Sequence, residues 1–404
     1  MFKDKLIVVG ITGSIAAYKA VELVSNLRKK GADVHCVMTD SAQEFLTPLT
    51  LRTLSQNPVI TAMFAEPKRW NVEHVGLAEA ADLVMVVPAS ANIIGKVCHG
   101  IADDFLTTMI MATKAPVLFA PAMNVQMYLN PIVQKNIAVL KEQGYHFVGP
   151  GSGNLACGTE GQGRLIELSV ILARAEELLV KEKPLLGKKV LVTAGPTREF
   201  LDPVRFLTNR SSGRMGYAVA KQAYLLGADV VLISGPTEIQ PFPGVQCIRI
   251  ETAQEMYEAV LAQWEDCQVI IKAAAVADYR PQSRNPEKMK KQSGDLQLVL
   301  SRNPDILAEL GKKKKSQILV GFAAETENVL ASAAEKAMRK NLDFIIANDV
   351  TREGAGFALD TNIVSFVFPN GEIRELEIMS KDDVAKAILK EVIKKLQMRS
   401  DGDG

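Results

Sequence analysis

Apolar and polar positions along the chain follow two rhythms. Residues 6–10, 34–38, 83–87 and 117–120 are short, continuous apolar runs rich in β-branched side chains, as expected of strands buried on both faces of a parallel sheet. Between them apolar residues recur at helical spacing. Residues 14–30 read as an amphipathic helix stopped at Gly31. This strand–helix–strand grammar predicts a parallel sheet covered on both sides.

A helix over 171–180 is followed by KEKPLLGKK (181–189), a polar break containing Pro and Gly, and the rhythm then restarts. Strands are predicted at 190–193, 229–233, 246–250, 269–273, 318–322 and 344–347, with helices at 213–226 and 328–340. Runs at 362–368 and 373–378 flank Pro-Asn-Gly-Glu, so the second sheet is expected to carry an antiparallel edge hairpin. A last helix over 381–397 precedes a polar tail. The pattern predicts an α/β protein with domains at 1–184 and 185–398, and a disordered tail at 399–404.

Size and charge narrow the function. A chain of 404 residues is long for a single core. Lys plus Arg (47) nearly balances Asp plus Glu (46), so nothing suggests nucleic acid or an anionic membrane as partner. Any phosphate site must be built locally. The five cysteines (36, 98, 157, 247, 267) have no paired spacing, which points to a reducing compartment. There is no signal-peptide pattern, and no apolar run approaches the roughly 20 residues of a membrane helix. A cytoplasmic protein is expected.

Candidate chemistry lies just after the strands. GITGSIAAYK follows the first strand and opens a helix, where free N–H groups and the positive dipole end suit a phosphate. The spacing is not GxGxxG, so a nicotinamide dinucleotide fingerprint is missing. His74 precedes Pro-Ala-Ser-Ala-Asn (88–92), Pro-Ala-Met-Asn-Val-Gln-Met-Tyr spans 121–128, and Cys157 lies in the glycine-rich loop NLACGTEGQGR (154–164). A cysteine in a polar loop can act as acid or nucleophile, whereas one in a core strand is packing.

In this order these four segments closely resemble the flavin-containing cysteine decarboxylases over nearly all of 1 to about 180. The resemblance implies FMN held by Gly13, Ser14 and Ile15, by Thr39, Asp40 and Ser41, by Ser90, Ala91, Asn92 and Ile93, and by Ala122. It implies catalytic roles for His74, Asn124 and Cys157. A plain cysteinyl carboxylate would leave an unstabilised carbanion on losing CO₂. Prior hydride loss to FMN from the carbon bearing sulfur lets that charge delocalise onto sulfur. His74 suits proton transfers near neutral pH, the Asn124 amide can orient the carboxylate, and Cys157 can protonate the enethiol. The related pattern usually has Trp where Tyr128 stands. Altered packing with retained function is expected.

The second half carries TAGPTREFLDPVRFLTNRSSGRMG (193–216), KAAAVADYRP (272–281), PEKMKK with Lys288, NPDI (303–306) and GFAAET (321–326). Ser-Ser-Gly before a helix is a plausible phosphate cradle. Lys336 and Lys340 fall at i,i+4 on one helix face. This set resembles the phosphopantothenate–cysteine ligases over about 187–395. The resemblance implies CTP activation of the 4'-phosphopantothenate carboxylate as an acyl-cytidylate, displaced by the amine of cysteine. Asn209 would stabilise the first step and Lys288 assist the second. Ala274, Ala275, Asp278, Lys288, Pro304, Asp305, Ile306, Leu307, Phe322, Lys336 and Lys340 would contact the nucleotide, with Asp278 on Mg²⁺ or Mn²⁺. Arg214 keeps the charge of a usual Lys, and the run 312–315 reads as a solvated loop. The two resemblances together imply two Rossmann-like domains and a bifunctional enzyme of coenzyme A synthesis. They also imply a homo-oligomer, a dodecamer of trimers joined through ligase dimers, with 205–210 and the hairpin near 369–372 as candidate contacts.

Overall fold

The computed structural model describes residues 1–64, 73–154, 160–290, 295–325, 329–349, 361–362 and 364–402. The chain divides into two compact units, Met1–Lys181 and Glu182–Gly404.

In the first unit, strands β1 (Leu6–Ile11), β2 (Asp33–Met38), β3 (Val59–Ile60), β4 (Leu83–Ala89), β5 (Val117–Pro121) and β6 (His146–Phe147) form one parallel sheet. Its order is β3-β2-β1-β4-β5-β6. The alternation of the pleat divides the core. Ile7, Val9 and Ile11 face a cluster with Leu23, Val24 and Ile171, while Val8 faces the opposite cluster with Leu106, Met109 and Phe119. The helix expected over 14–30 opens with a 3₁₀ turn, Ile15–Ala17, capped by Ser14, and continues as Tyr18–Lys29.

The glycine-rich segment read as a loop contains an antiparallel hairpin, β7 (Gly151–Asn154) with β8 (Glu160–Arg164). Gly153, Gly161 and Gly163 sit at φ of +144°, +153° and +147°. These are extended conformations that residues with a side chain rarely take, so strand propensity does not register them.

In the second unit, strands β9 (Lys189–Ala194), β10 (Arg198–Phe200), β11 (Phe206–Thr208), β12 (Asp229–Ser234), β13 (Gln246–Arg249), β14 (Val269–Lys272), β15 (Tyr279–Pro281), β16 (Leu300–Arg302), β17 (Ile318–Glu325) and β18 (Phe344–Asp349) precede four short ones. These are β19 (Thr361–Asn362), β20 (Val364–Val367), β21 (Ile373–Glu375) and β22 (Met379–Ser380). The main sheet runs β13-β12-β9-β14-β17-β18-β20-β21, parallel through β18 and antiparallel at the β20–β21 edge. The expected edge hairpin is there. Pairs β10–β11 and β15–β16 are separate antiparallel arms of three residues per strand, too short to give a periodic signal.

The tail expected to be disordered over 399–404 is corrected at 399–402, which are helical, while 403–404 lie outside the described residues. The last helix spans Lys381–Gly402. Arg399 reaches the Asp343 carboxylate and the Ser316 carbonyl, and these contacts carry the helix past the polar residues.

Candidate active sites

Each sheet reverses its winding at one place, between β1 and β4 in the first unit and between β9 and β14 in the second. Ligands of open α/β sheets bind outside the carboxyl ends of the strands at such a point. A cleft opens there in both units.

The first cleft encloses about 480 Å³ and is lined by Gly13, Ser14, Ile15, Ser90, Ala91, Ala122 and Asn124, together with Met123, Gly163 and Arg164. Seven expected residues from three separate loops therefore share one wall. Hydrogen bonds fix them. Thr12 Oγ1 donates to the Pro88 carbonyl (2.7 Å) and accepts from the Ser90 N–H (3.0 Å), stitching the ends of β1 and β4. Ser90 caps the helix Ala91–Cys98 by accepting from the Ile93 N–H. Ser14 Oγ donates to the Ala122 carbonyl (3.3 Å). Asn124 Oδ1 accepts from the Gln126 N–H (2.8 Å), so the amide enters the cleft with its oxygen already engaged.

Thr39, Asp40, Ser41, Asn92 and Ile93 stand outside this wall. Ser41 backs it. A Cβ on Gly13 would lie 2.6 Å from the Ser41 Cβ, so the loop needs glycine to sit this close. Among the described residues the buried Thr39 hydroxyl has no hydrogen-bond partner, an orphan that wants an acceptor or donor from a ligand. Ile15, Tyr18 and Met127 around the cleft are 58%, 60% and 49% exposed, far more than apolar side chains without a covering partner prefer. Apolar walls beside helix-end N–H donors suit an aromatic ring system that carries a phosphate. The residues present fit a flavin mononucleotide.

His74 lies on the helix Glu73–Ala80, its ring edge-on to Phe105 with centroids 6.3 Å apart, and it does not line the cleft. Cys157 lies outside the described residues. Of the other thiols, burial pushes Cys36 up to about 12 and Cys267 up to about 11, and raises Cys247 as well. Those three stay protonated at neutral pH. Tyr128 packs on the core cluster of Phe105, Met109 and Phe119.

The second cleft encloses about 610 Å³. Asn209, Ala274, Ala275, Asp278, Phe322 and Lys336 line it, with the expected cradle Arg210, Ser211, Ser212 and Gly213. Asn209 Nδ2 donates to the carbonyls of Ala275 (3.3 Å) and Val276 (3.1 Å), fastening the loop after β11 to the loop after β14. The Thr193 hydroxyl accepts from the Ala274 N–H (3.2 Å). Gly216 lets the helix Arg214–Leu225 press on β9, since a Cβ there would lie 2.6 Å from the Ala194 Cβ.

Other expected residues stand apart. Ile306 and Leu307 are buried in the core, and Asp305 caps their helix, Ile306–Lys313, by accepting from the Ala308 N–H (3.0 Å). Lys340 forms an ion pair with Asp305 at 2.7 Å, and neither these residues nor Pro304 line the cavity. Lys288 is also outside the wall, but its segment is anchored. The Met289 N–H donates to Asp202 Oδ2 (3.1 Å), and Arg205 donates to the Met289 carbonyl (2.9 Å).

Asp202 also accepts from the N–H groups of Val204 and Arg205. Burial pushes its carboxyl up, but the three N–H donors and the Arg205 guanidinium outweigh this and hold it below the usual range. A depressed carboxyl stabilises the fold fully above its unfolded pKa of about 3.9 and loses that contribution as pH falls through the folded value. Asp202→Ala is therefore expected to free the Lys288 segment. Ligase turnover should fall at least about tenfold, with faster tryptic cleavage near Lys288 and Lys290. The decarboxylation rate of the same preparation serves as the internal control.

Lys272, Asn348 and Lys381 also line the cavity and were not singled out from the sequence. For Lys272 a signal was available: it ends the apolar run of the strand beside the winding reversal. Asn348 and Lys381 reach the wall only through the tertiary fold.

Comparison with known proteins follows the same division. A family described as Flavoprotein matches residues 1–179, and one described as DNA/pantothenate metabolism flavoprotein C-terminal domain matches 185–396. The chain is thus a two-part flavoprotein of pantothenate metabolism. A coenzyme A biosynthesis bifunctional protein CoaBC of Bacillus subtilis (strain 168) is 50% identical over 395 residues, 97% of each chain. One of Vibrio vulnificus (strain YJ016) is 44% identical over 391 residues, 96% of this chain and 97% of that one. A crystal structure of the C-terminal domain of such a CoaBC is 44% identical, at TM-score 0.46, and is matched over 99% of its length by 54% of this chain. The chain belongs to the family of bifunctional coenzyme A biosynthesis enzymes, which join a decarboxylase to a phosphopantothenate–cysteine ligase. Among the described residues no helix is long and apolar enough to cross a membrane.

Proposed function

We propose that the second unit joins cysteine to 4'-phosphopantothenate with CTP and Mg²⁺, and that the first unit decarboxylates the product to 4'-phosphopantetheine with FMN. The observation that supports this reading is that seven of the expected residues line the first cleft and six line the second.

In the ligase step the substrate carboxylate attacks the α-phosphorus of CTP and pyrophosphate leaves. The amine of cysteine then attacks the acyl carbon and CMP leaves. The donors before the helix Arg214–Leu225 receive phosphate oxygens. Asn209 holds the Ala275–Val276 backbone against the reacting carboxyl, and Lys288 assists attack by the amine. Among the described residues no three metal-ligating side chains cluster. Asp278 would share Mg²⁺ with phosphate oxygens and water, the usual arrangement for this ion.

In the decarboxylase step FMN, when bound, would supply a reversible two-electron acceptor for the carbon bearing sulfur, holding the electrons while CO₂ leaves and giving them back as the enethiol is protonated. Asn124 orients the departing carboxylate through its amide nitrogen. Cys157 gives its thiol proton to the enethiol carbon. His74, which lies off the wall of its own cleft, exchanges protons at a cleft shared between copies, in keeping with a trimeric first unit. With ligase dimers this gives a dodecamer.

The test uses CTP and 4'-phosphopantothenate without cysteine. One equivalent of pyrophosphate should be released per active site, and turnover should begin only when cysteine is added. Pyrophosphate release independent of 4'-phosphopantothenate would overturn the acyl-cytidylate reading.

A further inference from the structure

The second cleft has an uneven charge. Among the described residues its lining includes Arg210, Arg214, Lys272, Lys336 and Lys381 but only one carboxylate, that of Asp278. In a chain of net charge +1, this is a local concentration of cations around a cavity of nucleotide size.

Lys272 is the cation least accounted for. It is the last residue of β14, at the winding reversal. Among the described residues none accepts a hydrogen bond from its ammonium or pairs with it, and nearby charges do not neutralise it. Lys340 lies close enough to repel it, and Asp305 is already committed to Lys340 at 2.7 Å. Asp278 attracts it but is itself exposed. Three donors on a partly buried, unpaired lysine facing a cavity call for a multiply charged acceptor. A lone substrate carboxylate would leave most of the surrounding positive charge unmatched.

We propose that Lys272 is a nucleotide-binding residue of this cleft, its ammonium donating to phosphate oxygens of the bound nucleoside triphosphate. The inference rests on the ligase reading given above and adds to it a residue to which that reading assigns no role. It has a consequence beyond affinity. Burial, with Lys340 adding to it, pushes the Lys272 ammonium down to about 8 against the opposing pull of Asp305 and Asp278. At pH 8 a good part of the free protein therefore holds the neutral amine. An arriving polyphosphate favours the charged form, so binding draws in about half a proton at that pH.

The experiment is calorimetric titration of the full-length, flavin-loaded protein with CTP and Mg²⁺ at pH 8, in two buffers of different ionisation enthalpy. Lys272→Met keeps the length of the stem and removes the charge. It is expected to bind CTP about 10–100-fold more weakly and to lose the proton uptake seen with the unsubstituted protein. Lys272→Arg, which stays protonated, should retain most of the affinity with no uptake. Unchanged flavin absorbance identifies a folded variant. If Lys272→Met binds CTP with unaltered affinity and uptake, the inference is overturned. It is equally overturned if the loss falls on 4'-phosphopantothenate while CTP binding is untouched, because the contact is then to the acyl substrate. If the unsubstituted protein itself binds no CTP, the ligase reading fails instead.

Discussion

A Gly163→Ala enzyme is expected to purify without flavin colour and without decarboxylase activity, while its ligase unit continues to make the carboxylated cysteine adduct. Gly163 lies in β8, and its carbonyl accepts the Met123 N–H at 3.0 Å. That bond lays the glycine-rich hairpin across the start of the segment carrying Asn124. A Cβ at 163 would stand 2.3 Å from the Met123 carbonyl oxygen, a rigid backbone atom, and φ is +147°. Overpacking of this kind costs about 1–3 kcal/mol, and forcing a side chain into such a backbone conformation costs about 1–3 kcal/mol more. The hairpin must then lift away, and with it Gly163, Arg164 and Leu165, all part of the cleft wall. The ratio of flavin absorbance to protein absorbance measures the loss directly. A yellow, active Gly163→Ala enzyme would show that this close approach does not shape the cofactor cleft.

The second large effect falls on the other unit. Asn209→Ala is expected to lower ligase turnover by about 10²-fold, the scale on which a small misplacement of the reacting groups slows a reaction. Asn209→Asp should be worse than alanine. The Nδ2 donor lies 3.1 Å and 3.3 Å from the carbonyl oxygens of Val276 and Ala275. A carboxylate there sets negative charge against two acceptors and drives the loops apart, whereas alanine only loses the tie. Flavin content and decarboxylation of a supplied cysteine adduct should be normal in both variants, because residue 209 belongs to a separate unit. Equal rates for the two variants would mean that the amide acts only by filling space.

Much of this was legible in the sequence, for a physical reason. Buried parallel strands need unbroken apolar runs, and those at 6–10, 34–38, 190–193 and 229–233 fall within one or two residues of β1, β2, β9 and β12. The clefts were legible because an α/β sheet places its ligand at strand ends, where Ser90, Ala122 and Ala274 stand out as small residues after apolar ones. Strands β7 and β8 were not legible. Their alternating glycines use backbone conformations that strand propensity does not describe, and their pattern of missing side chains makes room for Val125 and Met123. The final helix was extended by Arg399, whose partners Ser316 and Asp343 are distant in sequence. Local pattern carries no trace of such a contact.

Lys340 and Asp305 show the same limit within the candidate site. Each matched a nucleotide-contacting motif, and the fold pairs them with each other. Their pairing isolates Lys272, which opens the segment 272–281 but was given no role there.

The most direct test of the whole account is mass spectrometry of the full-length protein incubated with 4'-phosphopantothenate, cysteine, CTP and Mg²⁺. The account predicts 4'-phosphopantetheine, together with CMP, pyrophosphate and CO₂, and no accumulation of the carboxylated adduct. Accumulation of that adduct with no further conversion by flavin-loaded protein would contradict the role given to the first unit. Absence of any cysteine adduct would contradict the account at its root.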